Sequence, residues 1–475
     1  YIELKDYTSA ILNLKKAYKI NPNFNKILSD LLHTKMITCD WSNIDELLLK
    51  LKNNITSSKT IHRPFPILNL FDDSFLQKKV AEKYTNYFYS NNVNNVNVNF
   101  NYKNKKIRIG YFSSDFLGHP VGILIDEMFK NHDRNKFEIF GFYFGDHQLS
   151  KNFKKKFDTF YEIKSLSEIE VSKLSRKIKI DIAINLNGYT KNNIMNSFSF
   201  RMAPIQVNFL GYPGTLSAKY MDYIIADKIV IPENDKINFF EKVVYLPHCY
   251  MPNPSQRIIS ETYVDEIKYL KSKNKFVFCS FCNSYKINPK IFNSWMEILK
   301  KIKNGILWLQ SNYNNEMKTN LIRELRLNDI DSNRIFFAKR LDSIEDHLSR
   351  YKYADLFLDT FPFNGHTTVS DSLFVGLPVL TIKGNSFTSR VASSLLYEVG
   401  LEELITNNFE DYIKKAIEIA SNPVKHNELK IKLEKNKINS NLFNNKQYTK
   451  SIEKAYIKMY EIFLKNERPS SFEII

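Results

Sequence analysis

Apolar and polar positions follow two different periods along this chain of 475 residues. Up to about residue 90, apolar side chains recur every three or four positions, which predicts amphipathic helices. From residue 107 onward, short runs rich in Ile, Val and Phe alternate with helical stretches. Such runs predict ten buried strands: 107–113, 137–144, 181–186, 204–210, 222–227, 275–281, 305–311, 334–339, 354–360 and 378–384.

The predicted strands form two series, separated by residues 228–274. Near-continuous apolar strands that alternate with helices are typical of parallel sheets covered on both faces. Two such series predict two doubly wound α/β lobes with a cleft between them. Because ligands in these folds lie at the carboxyl ends of strands, polar residues that directly follow a strand are the candidate site residues.

The first residues match the second half of a tetratricopeptide repeat. Ala10, Leu14, Ala17 and Pro22 have the spacing of that repeat, and Tyr1 stands where the repeat carries a tyrosine. A lone amphipathic helix can show the same spacing by chance. If the match is real, the chain begins inside a repeat and a helical solenoid precedes it.

Four domains are predicted from these patterns. The second of them ends in an Asn-rich segment that reads as a boundary loop. The predicted domains are a partial repeat over 1–35, a helical transition and linker over 36–104, a first Rossmann-like lobe over 105–265, and a second, nucleotide-binding lobe with a terminal helix over 266–475.

Composition narrows the possible partners. Apolar residues make up 43% of the chain and aromatic residues 14%, which is ample for buried cores. The net charge of +17 would suit nucleic acid, but the lysines are spread along the chain without a nucleic-acid motif, so a solvated surface is the preferred interpretation. No apolar run has transmembrane length, so we expect no membrane partner either. Four cysteines fit a reducing compartment and a cytoplasmic location, or a nucleocytoplasmic one in a eukaryote.

Two short motifs raise the question of metal binding. Cys279 and Cys282 have the spacing of a redox or zinc half-site, but they lie in a predicted strand, where positions three apart point to opposite faces. The motif Asp329–Asp331 has the D-x-D spacing of a metal-binding carboxylate pair, but it precedes a predicted strand and should lie at the amino end of that strand. Structural thiols and a solvated turn are therefore preferred, and no metal or other cofactor is predicted.

The segment "FPFNGHTTVSD", residues 361–371, joins a predicted strand to a predicted helix. A helix amino end offers free N–H groups and a partial positive charge, which suit phosphate. Gly365 allows close approach, His366, Thr367 and Thr368 add donors, and Asp371 can accept from a ribose hydroxyl. A capped turn would explain the glycine and the threonines, but not the imidazole and the carboxylate. Together these residues favour a nucleoside diphosphate.

Two further strand ends carry candidate residues. Lys286 follows a strand and precedes a helix whose start is marked by Asn288 and Pro289, so it can reach a phosphate or remain a solvated loop lysine. His119 precedes Pro120 after another strand, where it can serve a site or simply cap a helix.

Eight segments, in order, resemble the O-linked N-acetylglucosamine transferases and their SPINDLY and bacterial relatives. They are "IRIGYFSSDFLGHP", "NLNGYTK", "RMAPIQVNFLGYPGT", "MDYIIAD", "YKINP", "NGHTT", "SRVASSLL" and "LFNNKQYT". The resemblance implies an α/β GT-B fold of two Rossmann-like lobes, preceded by helical repeats. It also implies inverting, metal-independent transfer of GlcNAc from UDP-GlcNAc to Ser or Thr of proteins, with acceptors selected by an upstream repeat solenoid.

The resemblance also implies roles for matched residues. On the donor side, Lys286 would hold the diphosphate leaving group, and the pyrophosphate and ribose would be bound by His366, Thr367, Thr368 and Asp371. Three more positions match the nucleotide side of the family's site: Asn283 (a glutamine in the family), Tyr285, and His347, the uracil-side histidine. The sugar and acceptor side would be lined by His119, Asn187, Tyr189, Thr190 and Gly211.

The chain departs from the animal members of that family in two ways. Ile344 stands where they carry a basic residue, and their long insertion between the lobes is absent, so a bacterial-type or divergent member is expected. The alternatives are O-fucosyl transfer from GDP-fucose and a catalytically silent repeat scaffold. The scaffold is disfavoured because His119, Lys286, His366 and Asp371 are all present.

Overall fold

The computed structural model describes residues 1–57, 59–93, 100, 102–261, 275–311, 314–341 and 343–475. These residues form two compact units, each built from two stretches of chain. The six-strand unit comprises Tyr1–Asp73 and Gln256–Ser440, and the eight-strand unit comprises Ser74–Ser255 and Asn441–Ile475. Each unit is named after the parallel sheet it contains in the described residues.

The described strands are β1 (Ile107–Ser113), β2 (Phe137–Tyr143), β3 (Thr159–Glu162), β4 (Ile182–Asn185), β5 (Ile205–Asn208), β6 (Tyr223–Ala226), β7 (Lys242–Tyr245), β8 (Phe276–Ser280), β9 (Gly305–Gln310), β10 (Ile335–Ala338), β11 (Leu356–Leu358), β12 (Val379–Ile382), β13 (Ile405–Thr406) and β14 (Phe472–Glu473). The described α-helices are α1 (Tyr7–Ile20), α2 (Ile27–Ile37), α3 (Ile44–Ser57), α4 (Pro64–Leu70), α5 (Ser74–Val93), α6 (Pro120–Asn131), α7 (Lys151–Lys154), α8 (Glu168–Lys177), α9 (Met195–Ser199), α10 (Pro289–Lys301), α11 (Asn315–Leu327), α12 (Ile344–Tyr351), α13 (Thr367–Val375), α14 (Val391–Glu398), α15 (Phe409–Ser421), α16 (Pro423–Asn439) and α17 (Asn445–Leu464).

The eight-strand unit is built around β1. Its described strands follow the order β14-β7-β6-β5-β4-β1-β2-β3, and all of the pairings are parallel. Ile109 of β1 lies opposite Ile139 of β2 and Ile182 of β4, so apolar side chains line up across neighbouring strands. The rings of Phe112 and Phe142 stack with their centroids 4.2 Å apart. Burial of both faces explains why these strands are almost continuously apolar.

The six-strand unit places two loops that carry candidate site residues side by side. Its described strands follow the order β10-β9-β8-β11-β12-β13, again all parallel. Helix α10 is tied to α15 by a hydrogen bond from Trp295 Nε1 to the Tyr412 hydroxyl at 3.2 Å. Because β8 and β11 are neighbours, the loop that carries Lys286 and the loop that carries His366 leave the same edge of the sheet.

All ten predicted strands are present, with ends within two residues of those predicted. Four described strands were not predicted: β3, β7, β13 and β14. Two of these, β13 and β14, contain only two residues each and are too short to carry a pattern. They form because a neighbouring strand offers its N–H and C=O groups, which is a tertiary effect.

The terminal helix lies in a different unit from the one predicted. The sequence grouped α17 with the second lobe, but α17 belongs to the eight-strand unit. The Tyr456 hydroxyl is 3.1 Å from that of Tyr111, and Glu453 Oε1 lies 2.9 Å from His132 Nδ1. Residues 1–73, predicted as separate helical domains, lie in the six-strand unit together with the second sheet.

The first helices fit a partial tetratricopeptide-like region. Helices α1 and α2 pack against each other, with Ala10 buried on α1. Asp6 caps α1 by accepting the Ser9 N–H at 3.0 Å. The Asn-rich loop, predicted from the sequence to begin at Asn91, begins later, since α5 continues to Val93. Residues 94–99 and 101, and residues 262–274 of the predicted connection, lie outside the described residues.

Candidate active site

Lys286 lies in a 3-10 turn, Ser284–Lys286, just after β8. Its side chain is buried, and its Nζ donates to the Asn364 carbonyl at 2.7 Å. The same Nζ lies 4.0 Å from the centroid of the Phe363 ring. Burial lowers the pKa of Lys286, and nearby Cys282 and Asp359 oppose that shift. The ammonium is therefore fixed in place at the carboxyl edge of the sheet, as a phosphate-binding group should be.

Asp359, directly after β11, shapes the loop whose Asn364 carbonyl binds Lys286. Its Oδ1 accepts the backbone N–H groups of Gly365 at 2.6 Å and Thr360 at 2.9 Å, and its Oδ2 accepts the Thr381 hydroxyl at 2.7 Å. Burial raises the pKa of Asp359 to about 7. A Cβ on Gly365 would lie 2.5 Å from Thr368 Oγ1, so glycine is required for this close approach. Asp359 was not predicted as a site residue.

Helix α13 begins directly after this loop and presents its amino end there. His366 is the N-cap residue, and no side chain caps the helix, so neither threonine caps it as the alternative of a capped turn requires. The buried His366 Nε2 has no hydrogen-bond partner among the described residues, and burial lowers the pKa of His366 well below its usual range. Thr367 is buried, and Thr368 Oγ1 lies 3.4 Å from Cys282 Sγ. The uncapped N–H groups are thus available to an anion. The neutral His366 ring already donates to the Thr388 backbone, so its Nε2 carries a lone pair and adds no donor in this state.

Asp371 lies one turn into α13 and forms a buried ion pair. Its Oδ1 accepts from Arg257 Nη1 at 2.5 Å. Its Oδ2 lies 3.9 Å from His347 Nε2, beyond hydrogen-bond distance. Burial raises the pKa of Asp371, and the Arg257 guanidinium opposes that shift. The sequence missed Arg257, because it stands in a polar segment without a helix or strand and pairs with a residue 114 positions away.

His347 projects from α12 into an aromatic surround. Its ring lies 5.4 Å from that of Tyr351 and 6.1 Å from that of Phe281, both in edge-to-face geometry. Burial, with the charges of Arg350 and Arg257, lowers the pKa of His347 to about 3. The ring is therefore neutral and suited to packing beside a planar base.

Tyr285 lies within the lysine turn and Asn283 directly precedes it, in different surroundings. Tyr285 packs against His33 at 5.4 Å and Phe65 at 5.9 Å between ring centroids, both in the N-terminal helices. Burial raises the pKa of Tyr285 to about 12. Asn283 is exposed and precedes the turn.

The N-terminal helices also bond to the backbone of this turn. The Ser284 hydroxyl donates to the Ile37 carbonyl at 2.7 Å, and Asn69 Nδ2 donates to the Tyr285 carbonyl. Asn314 Nδ2 donates to the same Ile37 carbonyl at 2.9 Å. The region that fits a partial repeat therefore supports the turn that carries Lys286.

In the eight-strand unit, His119 is the N-cap residue of α6. Its Nδ1 accepts the Val121 N–H at 3.4 Å and lies 3.8 Å from Asp115 Oδ2. Burial lowers the pKa of His119, and Asp115 opposes that shift. The hydrogen-bond pattern assigns a neutral ring with its hydrogen on Nε2. The capping interpretation is thus correct, but it leaves Nε2 able to serve a second role, since 48% of the side chain is exposed.

Asn187 links two strand-end turns of the eight-strand unit. Its Nδ2 donates to Asp115 Oδ2 and to Ser114 Oγ, both at 2.8 Å. The Thr190 hydroxyl donates to the Asn187 carbonyl at 2.9 Å. Asp115 therefore lies between His119 and Asn187, and Thr190 is held by Asn187. Asp115 was not predicted as a site residue.

The other two residues predicted for the sugar and acceptor side support the fold of these turns. The buried Tyr189 hydroxyl bonds to Thr85 and donates to the Leu216 carbonyl at 2.8 Å. A Cβ on Gly211 would lie 1.8 Å from the Leu186 carbonyl oxygen, so only glycine fits there. The hydroxyl of Tyr189 is engaged inside the unit, and Gly211 allows two loops to touch.

Of the two metal-like motifs, Asp329–Asp331 lies away from these groups, whereas Cys282 follows β8 and lies beside them, 3.4 Å from Thr368 Oγ1. Cys279 and Cys282 are free and buried, and burial raises the pKa of both thiols. The motif Asp329–Asp331 lies before β10, at the predicted amino end, and Asp331 accepts the Asn333 N–H at 2.9 Å. Within the described ranges, no cluster of three or more His, Cys, Asp or Glu side chains is arranged to hold a metal ion.

Comparison with solved structures identifies the fold. A lysine-to-methionine mutant of the Thermobaculum terrenum O-GlcNAc transferase superposes with a TM-score of 0.82 at 23% identity, over 96% of this chain and 88% of that one. A sucrose-phosphate synthase from Thermosynechococcus elongatus matches more distantly, with a TM-score of 0.51 at 10% identity, over 75% of this chain and 100% of that one. The chain thus has the GT-B fold of two Rossmann-like α/β lobes.

Sequence comparison then gives the family. The model of glycosyl transferase family 41 matches residues 38–264 and 256–452, and the chain belongs to that family. It is 32% identical to the probable UDP-N-acetylglucosamine–peptide N-acetylglucosaminyltransferase SEC of Arabidopsis thaliana, over 78% of this chain and 39% of the relative. It is 30% identical to the Arabidopsis SPINDLY protein, which carries the same enzyme description, over 77% of this chain and 41% of the relative. The chain spans about two fifths of the length of these relatives.

Among the helices of the described residues, none has both the length and the apolar character needed to cross a bilayer.

Proposed function

We propose that this chain carries an inverting, metal-independent glycosyltransferase that transfers GlcNAc from UDP-GlcNAc to Ser or Thr of proteins. The observation that carries the proposal is the buried Lys286 ammonium, held at the Asn364 carbonyl beside the start of α13. This position, after β8 and β11, is where doubly wound folds hold their ligands. The printed enzyme names of the two Arabidopsis relatives support the donor and the acceptor class.

The chemistry requires charge stabilisation on the leaving group. When the sugar departs, negative charge develops on the diphosphate, and donors already in place stabilise it without reorganisation. Two kinds of donor meet here: the Lys286 ammonium and the free N–H groups at the start of α13. Together they can take the charge that a divalent ion takes in other transferases, which supports the metal-independent form of the proposal.

The acceptor side is assigned to His119 and its partners. With Nδ1 accepting a backbone N–H, the His119 ring offers a hydrogen on Nε2 rather than a lone pair. That state suits orienting a sugar or acceptor oxygen, so the acceptor proton would leave on another group, such as a donor phosphate oxygen. The proposal also includes that helical repeats select the protein acceptors and that the reaction takes place in the cytoplasm. The cytoplasmic part rests on four free cysteines.

Two experiments test this proposal. Thermal unfolding with UDP, GDP and single-stranded RNA should show a clear rise in Tm with UDP, a smaller one with GDP and none with RNA. Incubation with UDP-GlcNAc and a Ser/Thr peptide library should add one GlcNAc per modified peptide, and matched Ala peptides should remain unmodified. Transfer of sugar from GDP-fucose but not from UDP-GlcNAc would show that the proposed donor is wrong. Absence of both nucleotide binding and transfer would show that the transferase proposal is wrong.

A further inference from the structure

Arg257 is an almost fully buried cation whose guanidinium is only partly used. Its side chain is 7% exposed, and its Nη1 donates to Asp371 Oδ1 at 2.5 Å. The guanidinium carbon lies 5.5 Å from the centroid of the Phe374 ring. Its Nη2 is buried and has no hydrogen-bond partner among the described residues.

Burial of a charged donor without an acceptor is energetically unfavourable, because the group has lost its hydrogen bonds to water and has formed none within the protein. On the carboxylate side, Asp371 Oδ2 also has spare capacity, since His347 Nε2 at 3.9 Å is too far to bond to it. A donor and an acceptor therefore stand beside one another on one ion pair. A small ligand group that both donates and accepts hydrogen bonds would satisfy both of them.

The charge of the pair indicates what that group is. Arg257 and Asp371 neutralise each other, so the pair has little attraction for a phosphate. A vicinal diol is neutral, and one of its hydroxyls can donate to the carboxylate while the other accepts from the guanidinium. The neutral His347 ring lies on the Oδ2 side of Asp371, where a nucleotide base could pack against it.

We propose that Arg257 is a ribose-recognition residue: Asp371 Oδ2 accepts one ribose hydroxyl of the nucleotide, and Arg257 Nη2 donates to the other. This inference rests on the proposed function, because it requires a nucleotide at the start of α13. It makes Arg257 both the partner that orients Asp371 and a direct contact to the donor.

The test is a set of binding titrations in which single hydroxyls are removed. Dissociation constants of UDP, 2′-deoxy-UDP and 3′-deoxy-UDP are measured by calorimetry for wild type, Arg257→Met and Arg257→Lys. A hydrogen bond to a charged group typically changes affinity by about 10–100-fold. Wild type should therefore bind UDP at least about tenfold more tightly than one of the deoxy forms. In Arg257→Met, UDP affinity should fall by about 10–100-fold and the preference for UDP should shrink towards one.

Arg257→Lys guards against misfolding, because a lysine keeps the charge beside Asp371 but lacks the second arm. It should retain the melting temperature and lose most of the hydroxyl preference. Arg63→Met is the matched control, since it removes an arginine whose Nε bonds to Asp30 at 2.8 Å in the N-terminal helices of the same unit. Its affinities for the three nucleotides should equal those of wild type.

The possible outcomes separate the inference from the proposed function. If Arg257→Lys and Arg257→Met keep the wild-type preference for UDP, or weaken all three nucleotides equally, Arg257 does not read the ribose. If wild type binds neither UDP nor GDP, the proposed function and the inference both fail.

Discussion

The Nζ of Lys286 lies 2.7 Å from the carbonyl oxygen of Asn364, so the end of β8 and the loop after β11 are joined by one buried hydrogen bond. This bond fixes the ammonium beside the first N–H groups of α13. It makes the position of the charge depend on both loops, and on the N-terminal helices that hold Tyr285.

Replacement of Lys286 by methionine removes the charge while keeping much of the side-chain volume. Loss of one preorganised charge-stabilising donor typically costs about 10²–10³-fold in turnover, and Lys286→Met should lose at least that much. Steady-state kinetics with UDP-GlcNAc and a Ser/Thr peptide measure the loss. The control is Lys290→Met, an exposed lysine on α10, which should behave as wild type. A Lys286→Met enzyme with near-normal turnover would remove this residue from the mechanism.

Thr367→Ala should have a smaller effect than Lys286→Met. The substitution removes a hydroxyl near the pyrophosphate but leaves the N–H groups at the start of α13. We expect turnover to fall by a smaller factor than in Lys286→Met, measured in the same assay. A larger loss than that of Lys286→Met would mean that the hydroxyl, not the helix end, dominates phosphate binding.

His119→Ala separates the acceptor side from the donor side. Removing a positioned acid–base or hydrogen-bonding imidazole typically slows a reaction by about 10²–10⁴-fold. UDP affinity should remain close to that of wild type, because UDP is proposed to bind the six-strand unit. His147→Ala, at an exposed histidine of the same unit as His119, is the control. Normal transfer by His119→Ala would leave the residue with only its capping role.

The stability of the protein should depend on pH through Asp359. Burial raises the pKa of Asp359 from 3.8 to about 7, so between those values the native state holds a proton that the unfolded chain has lost. The native state then binds more protons, and the free energy of unfolding falls as pH rises through that window. Asp359→Asn removes this term, so its stability relative to wild type should improve as pH rises.

Urea unfolding of wild type and Asp359→Asn at about pH 5 and about pH 8 tests this prediction. Asp329→Asn, at an exposed turn before β10, is the control. A stability difference between Asp359→Asn and wild type that is the same at both pH values would show that the carboxyl is ionised throughout.

The strands and the residues of the nucleotide-sugar donor site could be predicted from the sequence because each has a local sequence pattern. The ten predicted strands are apolar runs, and Lys286 and His366 stand at strand-to-helix junctions where ligands are expected. Arg257 has no such local sequence pattern. Its role depends on Asp371, 114 positions along the chain, and on burial that only the folded chain creates.

The placement of the terminal helix shows the same limit. The amphipathic pattern of α17 predicts a helix but not the sheet it covers. That choice is made by the contact between Tyr456 and Tyr111, 345 positions apart. Asp359 and Asp115 were missed for a related reason. Asp359 accepts from Thr381 of the neighbouring strand β12, and Asp115 accepts from Asn187 of another loop, and these partners meet only in the fold.

The most direct test of the account is GlcNAc transfer from UDP-GlcNAc to a Ser/Thr peptide in excess EDTA, with wild type and Lys286→Met side by side. The account predicts that wild type transfers GlcNAc at the same rate with and without EDTA, and that Lys286→Met is at least about 10²-fold slower in both. Loss of wild-type transfer in EDTA, with recovery on adding Mg²⁺ or Mn²⁺, would contradict it.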